Sequence, residues 1–559
     1  MRSPVLRAGL AGVVLPVVLA GAFAADAAAD RRGHGIDHIV VIYEENHSFD
    51  NLFGGWEGVD GLRHARARTQ IAPDGTPLPC LPQNDVNLTS PPLPVTCTGT
   101  IGVTPVSSAF VNRPFRIDDF IRPPDTTCPA PGTFPPNGVP KGQGLPGGCT
   151  RDLVHRFYNE QYQINGGAMN RYVAGSDAVG LTMGYYDTRG LPIYEYLHGR
   201  NAPDYVVADR FFQAAFGGSF LNHQWLITPY TPIWPGAVRS GPDDLHSVVG
   251  PDGFPAATPL HPATPGTADR ALTQAANPDG SCAVPAGMAP PPAGTACGDF
   301  AINTVQPPYQ PFAPGTSPAR RLPAQTTPTI GDRLSAARVD WAWYSGGWDN
   351  ANGNVGGAGW TNGTTPGTCA NPRTAAGAVY PNCPDATFQY HHQPFNYYAN
   401  YAPGTAARAA HLRDEVEFVA AAKAGHLKPV SFIKPVGEEN EHPGYASEDT
   451  GSRHLVDLIS AVQQGPDADN TLIVVTYDEF GGQWDHVAPP AGRHAVADKW
   501  GPGTRIPALL ISPRLRQHAG VDHTSHDTTS IMATIEHRFH LRPLGTRDAR
   551  VADLRTALR

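Results

Sequence analysis

The chain has 559 residues, of which 40 % are hydrophobic and 16 % charged, and its formal net charge is −9. That apolar fraction excludes a disordered chain, and the length allows one large domain or two medium ones around a sizeable core. The acidic balance argues against a nucleic-acid partner, which needs a basic face. Gly and Pro, at 60 and 58 residues, point to long stretches of loop and turn.

The N-terminus carries Arg2 and Arg7, an apolar run from Ala8 to Ala24, and a small-residue stretch through Ala27. This is the pattern of a secretory signal peptide, expected over residues 1–27. As an anchor the run is at the short end for a span of about 20 residues, and no later stretch is apolar enough to cross a bilayer. The mature protein is expected to be soluble, without a stable membrane anchor, and periplasmic or secreted.

Next comes the apolar run His38–Tyr43, which reads as a buried parallel strand. It leads directly into Glu44-Glu45-Asn46-His47-Ser48. Arg63, Arg66 and Arg68 form a short basic cluster that a solvated loop explains. Three regions, about 69–150, 240–325 and 350–388, are rich in Pro, Gly, Thr and Asn and lack the periodicity to build a core. They are expected to be insertions in one catalytic domain spanning 33–550. They hold all eight cysteines, none in C-x-x-C spacing. In an oxidising compartment these read as disulfides stapling loops, and sequence neighbours suggest 80–97, 128–149, 282–297 and 369–383, other pairings staying open.

Between the insertions, Gly217-Gly218-Ser219 permits a tight turn and a close backbone approach to an anion. Taken alone, such a triplet is usually only a turn. Leu221 stands where the second glycine of a G-x-S-x-G elbow would be. Asn222 and His223 follow closely enough to support Ser219.

The C-terminal part alternates helical stretches (405–422, 452–463, 527–539) with apolar runs at Val430–Ile433, Leu472–Tyr477 and Pro507–Ile511, all read as parallel strands. The fold class is therefore α/β, a central sheet covered on both faces. In such sheets ligand groups gather beyond the carboxyl ends of strands. The strand ending at Tyr477 runs into Asp478-Glu479, as the first strand runs into Glu45-Asn46. Together Glu45, Asn46, Asp478 and Glu479 offer four oxygens to one divalent cation, which Mg, Ca, Mn or Fe would suit alike. Turn-capping acids are the plain alternative for either segment, and Asn46-His47-Ser48 also spells a glycosylation sequon. Of the 22 histidines, His442 follows the strand 430–433 at the same sheet edge, and the pair His391-His392 adjoins an insertion.

The run from Ile39 to Gly54, with Glu-Asn-His-Ser-Phe-Asp at its centre, resembles the opening signature of the bacterial phospholipase C/acid phosphatase family. Tyr477-Asp-Glu-Phe-Gly-Gly-Gln-Trp-Asp-His486 is similar to its late signature. Met183–Asp187, Ala208–Phe212, Gly217–His223, Glu441–Pro443 and Asp522–Thr524 stand between or beyond them in the family's order. The resemblance spans about residues 36–545. It implies an alkaline-phosphatase-like α/β/α sandwich, with Glu45, Asn46, Asp478 and Glu479 as metal ligands. It further implies Ser219 as nucleophile and His155, His391, His392 and His442 around the phosphate. His486 and His523 are expected to give outer support.

The expected activity is that of a secreted acid phosphatase acting on phosphate monoesters through a phosphoserine, with His442 protonating the leaving alcohol and protonated histidines favouring an acidic optimum. The runner-up is a phospholipase C. Relatives of that kind commonly carry C-terminal accessory domains and twin-arginine signals, neither expected here, and no choline cage is evident beyond Trp225, Trp341 and Trp343, which core packing explains equally. A non-catalytic binding protein is the reading from another class, resting only on the long stapled loops. The oligomeric state is not legible.

Overall fold

The computed structural model describes residues 1, 35–65, 69–235, 277, 282–284, 286–287, 297–491 and 496–559. The expected signal peptide, apart from Met1, Arg66 and Arg68, and most of the 240–325 insertion lie outside these.

The core is an eight-stranded sheet. In chain order its strands are β1 (His38–Glu44), β2 (Tyr205–Ala208), β3 (Trp341–Ser345), β4 (Leu412–Asp414), β5 (Val430–Lys434), β6 (Thr471–Tyr477), β7 (Ala508–Ile511) and β8 (Ala519–Asp522). Across the sheet they run β8-β2-β7-β6-β1-β5-β3-β4. β1 pairs in parallel with both β5 and β6, Ile42 facing Ile433 on one side and Val475 on the other. All but the first residue of β1 is buried, which is why its sequence is continuously apolar: helices cover both faces. Each Val, Ile or Leu so enclosed contributes about 1.5–3 kcal/mol.

Two expectations need correction. β7 was expected to be parallel but pairs antiparallel with β6 and β2, since a short apolar run carries no sign of direction. The single helix expected over 405–422 is broken: a short helix Ala406–His411 gives way to β4, which pairs with β3, before the next helix, α4 (Glu415–Ala424), begins. Asp414 ends β4 and caps α4, its side chain accepting from Val416 N.

The helices used below are α1 (Phe49–Leu52), α2 (Pro192–Leu197), α3 (Ser219–Ile227), α4 (Glu415–Ala424), α5 (Glu448–Gln463) and α6 (Thr529–Arg538). α2, α4 and α5 pack together, and α3 packs with α6 and the turns Tyr390–His392 and Pro394–Tyr397. These two groups sandwich the sheet, and α3 is buried all round. Buried side chains of the 69–150 segment, among them Leu78, Leu81, Ile101 and Phe110, join the same core cluster as the sheet.

Four disulfides join Cys80–Cys97, Cys128–Cys149, Cys282–Cys297 and Cys369–Cys383, the pairing of sequence neighbours. Trp225, Trp341 and Trp343 are fully enclosed core residues. Among the described residues no helix is long and apolar enough to cross a membrane.

Candidate active site

Because β1 and β6 are adjacent and parallel, with Glu44 in register with Tyr477, the residues after each strand emerge side by side. Glu45, Asn46, Asp478 and Glu479 are completely buried there. Asn46 takes a left-handed backbone, φ 63°, and its amide donates to Asp478 Oδ1 at 3.2 Å. This burial also closes the glycosylation reading. A side chain on Gly481, which sits at φ +61°, would come within 2.0 Å of the Asn46 carbonyl. Gly481→Ala is therefore expected to cost about 2–5 kcal/mol and to lower activity with it, read as a drop in Tm alongside kcat.

Ser219 opens α3, where unpaired amides and the helix dipole favour negative charge. Its Oγ donates to Glu45 Oε2 at 3.0 Å and lies 3.3 Å from Asn46 Oδ1. The glycines before it serve close packing: a Cβ on Gly217, at φ +90°, would meet Phe157 N at 2.6 Å, and one on Gly218 would meet His155 O at 2.9 Å. Gly218 also lines the cavity described next.

A cavity of about 600 Å³ reaches this point at Gly218, and His155, His391, His442, Phe134, Tyr445, Arg151 and Asp152 share its wall. His442 lies flat against Tyr445, ring centres 4.2 Å apart. Its Nδ1 donates to the Pro443 carbonyl at 2.6 Å, so Nε2 accepts from Asn46 Nδ2, also at 2.6 Å. His155 Nε2 lies 3.6 Å from Glu479 Oε1. His392 is placed differently from the other three: it stacks on His223 at 4.6 Å, below the cavity, with Nδ1 3.2 Å from Glu45 Oε1. His223 Nδ1 donates to the Ser219 carbonyl at 2.8 Å.

Lys434, the last residue of β5, was not singled out in the sequence, yet its buried ammonium lies 2.5 Å from Glu45 Oε1 and donates to the Tyr43 carbonyl at 2.8 Å. A lysine ending an otherwise apolar strand run was the available signal. Phe134 and Tyr445 were also missed, and nothing local marked them.

Burial, with Asp478 beside them, raises the carboxyls of Glu45 and Glu479 well above their usual range, and burial raises Asp478 too despite Lys434. Asp478 Oδ2 and Glu479 Oε1 have no hydrogen-bond partner. Three buried acids with outward-facing lone pairs are unfavourable as they stand. They fit a bound cation, which would let them ionise. Burial lowers His223, His392 and His442 well below the ordinary imidazole value and pushes His391 down to about 3.

A second buried network fixes the loop after β6. Arg505 donates to Asp485 at 3.2 Å and to Asp50, in α1, at 3.1 Å, while His486 Nδ1 lies 2.6 Å from Asp50 Oδ2. His523 lies apart, exposed to solvent and paired with Asp209. Burial alone would lower His486, but the hydrogen bond to Asp50 and its charge raise it overall. The stability this gives is complete below the unfolded imidazole value of about 6.5 and is lost as pH rises through the higher folded value. As pH rises above about 6.5, wild type is expected to lose more Tm than His486→Asn, which lacks the titrating group.

A carboxylate cluster shaped for a cation, a serine at a helix N-terminus and three imidazoles around one cavity define a site for hydrolysing esters of a multiply charged oxyanion. The chain belongs to the phosphoesterase family, which it matches over residues 36–542, and a phosphoester hydrolase is what this family and site support. It is similar to phospholipase C B of Mycobacterium tuberculosis (strain ATCC 25618 / H37Rv), 23 % identical over 93 % of this chain and 77 % of the relative. Non-hemolytic phospholipase C of Burkholderia pseudomallei (strain K96243) is 29 % identical over 21 % of this chain and 20 % of its own length. Among solved structures, a Vibrio parahaemolyticus protein in the alkaline phosphatase superfamily is 15 % identical, at a TM-score of 0.22 over 42 % of this chain and 52 % of that one.

Proposed function

We propose that the protein is an exported phosphatase that hydrolyses phosphate monoesters through a phosphoserine at Ser219. The observation that carries this reading is the Ser219 hydroxyl at the head of α3, 3.0 Å from a cation-ready carboxylate. Glu45, Asn46, Asp478 and Glu479 would hold one divalent cation, which when bound supplies positive charge to the phosphate and the attacking oxygen. The hydroxyl proton already points to Glu45 Oε2, and attack in line on phosphorus forms the phosphoserine. His155, His391 and His442 face the remaining phosphate oxygens, and three imidazoles suit the dianion of a monoester better than the single charge of a diester. His442 acts as acid once Nε2 takes up a proton, which a dianion beside it favours; it then passes that proton to the departing alcohol. Water then attacks the phosphorus of the phosphoserine, the Ser219 Oγ–P bond breaks, inorganic phosphate leaves, and a proton from that water restores the hydroxyl. The four disulfides support a position outside the cytoplasm.

The second reading, phospholipase C, is favoured by the names of the relatives and by the aromatic wall of Phe134 and Tyr445 beside Asp152, which could take a cationic headgroup. Hydrolysis of p-nitrophenyl phosphate and p-nitrophenylphosphorylcholine, side by side, separates them. The monoesterase reading expects kcat/KM at least about tenfold higher on the first ester. The reverse preference would establish the second reading.

A further inference from the structure

Glu44 ends β1 and Glu45 follows it, so the strand's alternation sends their side chains to opposite sides of the sheet. Glu45 enters the site of Ser219. Glu44 turns to the face covered by α4 and α5, and the charged groups acting on it are Lys434, His454, Glu415 and Glu439. It is 0 % exposed, and neither of its carboxylate oxygens has a hydrogen-bond partner. Nothing in the proposed chemistry uses it.

Donors from three separate elements come together on this side of the sheet. Glu415 begins α4, Glu439 lies in the turn Gly437–Glu439 after β5, and His454 stands on α5. His454 Nε2 is 2.9 Å from Glu415 Oε1 and 3.8 Å from Glu439 Oε2. One donor atom from each of these three lies within 4.8 Å of the others. Metal bonds of about 2.0–2.2 Å in a tetrahedron separate neighbouring donors by about 3.4 Å, and the two observed distances straddle that spacing. Glu415 Oε2 is buried and unpartnered as well. The Glu439 side chain is 35 % exposed, which leaves a route in from solvent.

A proton on His454 answers only one of these three carboxylates, and Lys434 is engaged with Glu45 and the Tyr43 carbonyl on the other face. A doubly charged ion would satisfy the remainder. We propose that Glu415, Glu439 and His454 form a second cation site on the side of the sheet where Glu44 lies buried, separate from that of Ser219 and suited to a borderline divalent ion such as Zn²⁺. One imidazole with several carboxylates is a donor set that zinc accepts. The ion would tie α4, α5 and the turn after β5 together. It would also neutralise a buried acid one residue away from Glu45. The proposal stands independently of the catalytic reading.

The test is titration of the metal-stripped full chain with Zn²⁺, followed by calorimetry and by thermal melting. It is run in the Asp478→Asn/Glu479→Gln background, so that the site of Ser219 is removed. That protein is expected to bind one equivalent and to gain Tm on binding. Adding His454→Asn should abolish the Tm gain and weaken binding by more than about tenfold. Adding Glu439→Gln instead, at a half-exposed position that spares folding, should have the same effect and decides the matter if the histidine variant fails to fold. No zinc bound in the background protein, or undiminished binding in the added variants, would overturn the proposal.

Discussion

Ser219→Ala is expected to lower kcat on p-nitrophenyl phosphate by about 10⁴-fold or more while leaving the fold intact. The substitution removes one oxygen from the first turn of a buried helix and creates almost no void. The lost hydroxyl leaves Glu45 Oε2 without its donor, but Glu45 keeps Lys434 at 2.5 Å. Circular dichroism and Tm should therefore match wild type, which separates loss of a nucleophile from loss of structure. Retention of full activity would move the chemistry to a direct attack by water.

Asp478→Asn should give effects of opposite sign on activity and on stability. Activity is expected to fall by more than about 100-fold, since a direct ligand matters more than groups that merely orient one. The metal-free variant should nonetheless melt at a higher temperature than metal-free wild type. Asp478 sits beside Glu45 and Glu479 in a buried cluster, and, after burial itself, its charge helps raise the carboxyls of both. Removing one of three like charges relieves a conflict that only a cation resolves. Added metal should then raise the Tm of wild type more than that of the variant. Differential scanning calorimetry with and without a chelator reads both effects, and a lower Tm in the metal-free variant would contradict this account of the cluster.

How much of this could be read from the chain depended on whether the information was local. β1, β5 and β6 were legible because strands buried on both faces must be continuously apolar, and β1 and β6 run directly into the acids of the site. The direction of β7 was not, since Ala508–Ile511 reads the same whichever way it pairs. The break at Leu412–Asp414 had a local sign, an aspartate followed by Glu415 and Glu417 as at a helix start, but the alanine-rich pattern on either side masked it. That Ser219, Glu45, Asn46, Asp478 and Glu479 would gather in one place was legible through the motifs that hold them. The position of His392 below the cavity, stacked on His223, was not, because adjacent histidines in a tight turn can diverge completely. Lys434, Phe134 and Tyr445 reach the site only through the crossing of strands and loops distant in sequence. Glu44 shows the same limit: its neighbour Glu45 carries the signature, and only strand alternation sends the two to different faces.

The most direct test of the central claim is a rapid acid quench of the enzyme during turnover of p-nitrophenyl phosphate, followed by peptide mass spectrometry. The account predicts a phosphoryl group on the peptide containing Ser219, absent in Ser219→Ala and absent when metal has been removed. Turnover at full rate with no phosphorylated peptide at any quench time would contradict it.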